Sequence, residues 1–176
     1  MPSINLSKSV PDFNNIFNDD FNSKHLSVKN ISNKGNHYKL IKYDKDILSR
    51  DYVSSYGLCR SIITNEDNQI VCYSPPKSID RDVFVNKYPE LDSDFIVEEL
   101  VEGTMINMFY DKGHWEISTK GVIGANTRFF KTSDKTNFRK MFFDTFFGSG
   151  ATYEMLDTNY CYSFVLQHPH NRIVVP

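Results

Sequence analysis

The stretch GTMINMFYDKGHWEISTK, residues 103–120, decides the fold class of this chain. Two runs of strand length flank Asp111-Lys112-Gly113, a triplet built from turn-forming residue types. The flanking runs are rich in Ile, Phe, Tyr, Trp and Thr, which suit a pleated, half-buried surface. A tight antiparallel turn is therefore predicted here, and DFIVEEL (94–100) is expected to precede it as a third strand of the same meander.

Working outward, HYKLIKYD (37–44) alternates and reads as a strand. GLCRSIITN (57–65) and QIVCYSP (69–75) flank the polar tip Glu66-Asp67-Asn68 and read as a hairpin. NYCYSFVLQH (159–168) is the last strand. One clear helix carries Phe138, Met141, Phe142, Thr145 and Phe146 on one face. Ser133 or Asp134 is expected to cap it, and Gly148 and Gly150 to stop it. A short helix is expected from Ser78 or Asp80 to Tyr88, ended by Pro89, and another around Phe13, Ile16 and Phe17 after Pro11. NSKHLSVKNISNKGN (22–36) reads as a loop or mobile arm. The sum is an α+β fold, mainly antiparallel sheets with a few helices. Residues 1–35 are read as an N-terminal arm or extension and 36–176 as the domain proper.

A chain of 176 residues with a net charge of -2 fits one domain of ordinary size. The near-neutral charge excludes a generally basic nucleic-acid coat and leaves room for a local basic groove. Cys59, Cys72 and Cys161 show no paired spacing and read as core thiols in a reducing compartment. No apolar run reaches the roughly 20 residues of a membrane span, and MPSINLSKSVPDF lacks the apolar core of a secretory signal. A soluble, cytoplasmic protein is expected.

Several charged groups interrupt the strand patterns. Arg60 sits inside LCRSII, Lys77 follows two prolines at a strand exit, and Lys120 ends WEISTK. Glu98 and Glu99 adjoin, so in a strand they would face opposite sides. Each taken singly is an ordinary surface charge. Taken together, three cations at strand ends suit a polyphosphate, and a carboxylate beside them suits Mg2+. Gly103, between Glu102 and Thr104, permits a close approach of backbone to a ligand. His168 and His170 flank Pro169 with no third ligand nearby and read as surface residues.

In order and spacing, LCRSIITNEDNQIVCYSPPKSID, DFIVEELVEGTMINMFYD, WEISTKG and YSFVLQHPHNRIV resemble the N-terminal adenylyltransferase region of phage-type RNA ligase 1 proteins, over about residues 50–176. That family belongs to the covalent nucleotidyltransferases. The resemblance implies ATP and Mg2+ as cofactors, RNA as partner, and a lysine nucleophile that takes AMP. It implies that Arg60 and Lys77 touch the ATP phosphates and that Lys120 assists adenylate transfer. Glu102, Gly103 and Thr104 match the end of the nucleophile motif, and Asn171 and Arg172 the segment after the third motif.

The nucleophile position, counted back from Gly103, is Leu100, and a one-residue bulge would bring Glu99 there. Neither is a lysine. Ser163 stands where the family's third motif has a glutamate, and the later motifs would lie past Pro176. KYDKDIL, from Lys42, mimics part of the nucleophile motif, but it lacks the glycine and precedes the arginine strand. The expectation is a ligase-like homologue without the covalent step, retaining phosphate or RNA binding. The alternative is a noncatalytic protein-interaction module on the same fold.

Overall fold

The computed structural model describes residues 5–18, 20–90, 95–128 and 136–171. Seven strands form two antiparallel sheets. The first contains β1 (Leu26–Asn33), β2 (Asn36–Tyr43), β3 (Ile62–Thr64) and β4 (Ile70–Tyr73), in that order. The second contains β5 (Thr104–Asp111), β6 (His114–Ser118) and β7 (Tyr162–Leu166), in the order β6-β5-β7.

The period of two along each strand builds the layers. On β2, Ile41 and Tyr43 face an outer core with Leu6, Val10, Phe13, Ile16 and Ile62. Its alternate residues, Tyr38 and Leu40, meet Ile63, Cys72, Phe109 and Ile123 between the sheets. On β5, Ile106 and Met108 face a third core, where α3 (Phe138–Gly148) lays down Phe138, Met141, Phe142 and Phe146. Each such side chain taken fully from water contributes about 1.5–3 kcal/mol. The layers therefore run N-terminal segment, first sheet, second sheet, α3.

The turn expected at Asp111-Lys112-Gly113 joins β5 to β6, with Asp111 opposite His114. Lys112 and Gly113 both take positive φ, 48° and 84°. The Glu66–Asn68 tip joins β3 to β4 as expected, with Asn68 at φ 59°. Asp80 starts α2 (Arg81–Lys87).

Other segments differ from expectation. Residues 22–36, expected as a loop or arm, supply β1, whose eight residues pair in full with β2. The stretch 95–101 forms no strand, because β6 and β7 already occupy both sides of β5. Ile96, Val97 and Leu100 stand 83%, 86% and 92% exposed there. Near Pro11 the chain makes a single α-turn, α1 (Leu6–Ser9), and then a 3-10 turn over Phe13–Asn15. Asn137 caps α3 through its side chain, which accepts the Lys140 N–H at 2.9 Å. Ser133 and Asp134 lie outside the described residues. Among the described residues no helix is long and apolar enough to cross a membrane.

Candidate functional site

Strand register divides the two-sheet body into two unlike ends. At one end lie the hairpin tips. Lys112 and Glu66 form an ion pair there between tips of different sheets. Asp111 accepts from the Tyr38 hydroxyl at 3.1 Å and from the Asn65 amide at 3.3 Å. The fully buried Glu116 of β6 pairs with Arg139 of α3 and with Lys34, at 2.9 Å, in the β1–β2 turn. Burial alone would raise the Glu116 pKa. The Arg139 guanidinium, the Ile117 N–H, Lys34 and Asn33 outweigh it and hold the carboxyl at about 2.

At the other end the strands enter and leave. The Tyr43 N–H donates to the Cys59 carbonyl at 2.7 Å, which sets Arg60 beside the end of β2. The Lys77 N–H donates to the Gly57 carbonyl at 3.0 Å, which brings the strand exit back to the same segment. From the second sheet, the Lys120 ammonium donates to the Tyr43 hydroxyl at 3.0 Å and lies 4.2 Å over that ring. The structure thus gathers the elements carrying Arg60, Lys77 and Lys120 at one end. Among the described residues none of these three cations has a carboxylate partner.

Gly103 and Thr104 open β5 at this same end, opposite Leu166. The close approach at Gly103 is to β7: a Cβ there would fall 2.6 Å from the Leu166 carbonyl oxygen. The Glu102 carbonyl accepts the Gln167 amide at 2.9 Å. The Asn171 amide donates to Thr104 Oγ1 and to the Leu166 carbonyl, both at 3.1 Å, and closes the corner. Arg172 lies outside the described residues. Glu98, Glu99 and Leu100 precede this corner in the exposed stretch, away from any ladder.

Sequence reasoning passed over a second set of groups here. Ser61, Ser74, Asn107 and Ser118 are all fully buried. The Ser74 N–H donates to the Ser61 carbonyl at 3.0 Å, which extends the β3–β4 ladder by one pair. By alternation these two serines point with Ile63 and Cys72 toward the second sheet. Asn107 and Ser118 are register partners on the facing sheet, and Asn107 Oδ1 accepts the Ser163 hydroxyl at 2.8 Å. Yet Ser61 Oγ, Ser74 Oγ, Ser118 Oγ and Asn107 Nδ2 meet no oxygen or nitrogen partner among the described residues, and Ser118 has only the Cys72 thiol beside it. Buried polar groups without partners are uncommon and call for an explanation. The one signal in sequence was a polar residue at an inward position of an otherwise apolar strand.

The body is therefore an α+β fold of two antiparallel sheets, with the segments carrying Arg60, Lys77 and Lys120 brought to one end. Comparison adds a relative. Over 89 residues the chain is 39% identical to a protein of Rhodothermus phage RM378 named RNA ligase, a match covering 46% of this chain and 20% of that protein. Over that part the chain is RNA-ligase-like, and it spans about a fifth of the relative's length. No family profile and no solved structure matches it.

Proposed function

We propose that this chain is an RNA-ligase-like nucleotidyltransferase homologue that binds a nucleotide or an RNA 5′-phosphate without being adenylylated. The observation that supports the reading is that the segments carrying Arg60, Lys77 and Lys120 come to one end of the body, with no carboxylate partner for these cations among the described residues. Arg forks and Lys point charges are common partners of phosphoryl oxygens. Ser61, Ser74, Ser118 and Asn107, buried between the sheets toward the same end, carry further polar atoms without a partner among the described residues.

Leu100 at the nucleophile position removes the covalent step, since a hydrocarbon side chain has no lone pair to attack an α-phosphate. Glu99, one residue earlier, gives no amine either. The phosphates of ATP suit the cations on the chain. Mg2+ fits less well: Glu98 and Glu99 are exposed, and no group of three His, Cys, Asp or Glu side chains is gathered among the described residues. Binding is therefore assigned to the cations, with no step through a metal.

A second reading, a protein-interaction module, draws on the exposed apolar stretch with Ile96, Val97, Leu100 and Val101. Thermal denaturation with ATP, AMP and a short 5′-phosphorylated RNA separates the two. A ligand at 100 times its Kd adds about 2.7 kcal/mol, which raises Tm by about 5–10 °C in a chain of this size. Lys120→Ala and Arg60→Ala should reduce that shift. No shift with any of the three at millimolar concentration would sink the nucleotide reading and leave the interaction module ahead. A label from ATP that survives denaturation would instead show that a nucleophile remains.

A further inference from the structure

β4 is the outer strand of the first sheet, and it meets Tyr110 of β5 and the segment leading into β7 along a groove lined by Ile70, Tyr73, Tyr110 and Tyr160. Cys72 and Cys161 stand together in its wall. Cys161 Sγ accepts the Tyr73 N–H at 3.3 Å and lies 3.5 Å from the Tyr73 carbonyl. The Cys72 thiol, one residue back, is hydrogen-bonded to Cys161. Cys161 is half-buried and lines the groove, whereas Cys72 is only 1% exposed.

The pairing polarises the two sulfurs in opposite directions. The Cys72 hydrogen bond, against burial and with help from the Tyr73 and Cys161 backbone N–H groups, lowers the Cys161 pKa. Donating that bond, together with burial, pushes Cys72 well up. The accessible sulfur is thus the better thiolate and the enclosed one the proton-bearing neighbour, an arrangement suited to an attacking and a resolving thiol.

We propose that Cys72 and Cys161 form a redox-modification site, oxidised by hydrogen peroxide to a disulfide that ties β4 of the first sheet to the segment entering β7 of the second. The Cys161 thiolate attacks the peroxide O–O bond and becomes a sulfenic acid as hydroxide leaves. The Cys72 sulfur then attacks the sulfenic sulfur, the S–O bond breaks, and a second hydroxide takes up the Cys72 proton as water. Across both steps two thiols lose two electrons and two protons, and the peroxide is reduced to two waters. Thiol reductants reverse it, so in a reducing compartment the bond is transient. Cys59, buried with its pKa pushed up to about 12, takes no part.

The test is treatment of the native full chain with hydrogen peroxide, then alkylation under denaturing conditions and peptide mass spectrometry. The expected result is a Cys72–Cys161 linked peptide pair, lost on dithiothreitol treatment and formed equally in Cys59→Ser. Cys72→Ser should stop at a sulfenic acid on Cys161 that dimedone traps. Native alkylation of Cys161 should remain fast at a pH below the usual thiol range. All three thiols staying alkylatable, or oxidation falling on Cys59, would overturn the proposal. Should Cys72→Ser fail to fold, the linked pair in the unsubstituted chain decides by itself.

Discussion

Replacing Glu116 by Gln tests the tip-end brace directly. The Glu116 side chain is fully buried, between Arg139 and Lys34, and accepts from the Asn33 amide and the Ile117 N–H at 2.9 Å each. These partners carry its pKa from 4.5 to about 2 in the folded chain. At about 1.36 kcal/mol per pH unit, that lowering makes the ionised carboxylate worth about 3 kcal/mol at pH 7. The folded pKa is the lower one, so this stabilisation is complete above about 4.5 and fades as pH falls toward 2. At pH 3 the same relation leaves less than half of it.

Gln keeps one oxygen, for the Ile117 or the Asn33 donor, and turns its NH2 toward the other, while Lys34 and Arg139 are 53% and 25% exposed, so both can recover water. The expected cost at pH 7 is therefore about 2–3 kcal/mol, at the low end of losses for breaking a buried pair. Urea denaturation measures it, followed by circular dichroism and by fluorescence of Trp115, the one tryptophan, beside Glu116 on β6. The gap between parent and variant should be about 2–3 kcal/mol at pH 7 and less than half of that at pH 3. An equal gap at both pH values, or one below about 0.5 kcal/mol at pH 7, would refute the assignment of the stabilisation to an ionised carboxylate.

Gly103→Ala places a Cβ 2.6 Å from the Leu166 carbonyl oxygen and 2.7 Å from Val165 Cγ1. It should cost about 1–3 kcal/mol, read as a lower urea midpoint with unchanged slope. Leu100→Lys alters a side chain that is 92% exposed, so stability should stay within about 0.5 kcal/mol by thermal melt. Asn137→Ala removes the acceptor for the Lys140 N–H and should cost about 1 kcal/mol, seen as reduced helical signal loss temperature in a circular-dichroism melt.

The β5–β6 hairpin was legible because turn chemistry and flanking composition are local, and both sit within residues 103–120. β1 was not, since Lys29, Asn30 and Ser32 give it the look of a polar loop. It is an outer strand, and pairing with β2 rather than its own composition orders it. The stretch 95–101 shows the converse. Ile96, Val97 and Leu100 read as strand, yet sheet membership needs a free edge, and β5 has none to give. Arg60, Lys77 and Lys120 could be picked out as charges at strand ends, but their convergence depends on the register of two sheets and on Tyr43. Glu116 went unremarked in WEISTK because its partners, Asn33, Lys34 and Arg139, come from distant segments. Its inward position, in step with Ser118, was the available clue.

The contrast between the two ends bears on function more than any single residue does. At the tip end, charges are matched across elements: Lys112 with Glu66, Asp111 with Tyr38 and Asn65, Glu116 with Arg139 and Lys34. At the entry end, Arg60, Lys77 and Lys120 have no carboxylate partners among the described residues, and Ser61, Ser74, Ser118 and Asn107 carry buried polar atoms without partners there, as Thr64 does nearer the tips. Leaving such an atom buried and unbonded costs about 1–3 kcal/mol. A sequence under selection for stability alone would fill those inward positions with Val or Ala, as it fills their neighbours with Ile63 and Ile117. Under the proposed function, the polar positions toward the end that carries Arg60, Lys77 and Lys120 serve a ligand. On the proposed reading, that end kept its grip on phosphate while Leu100 took the place of the reacting amine.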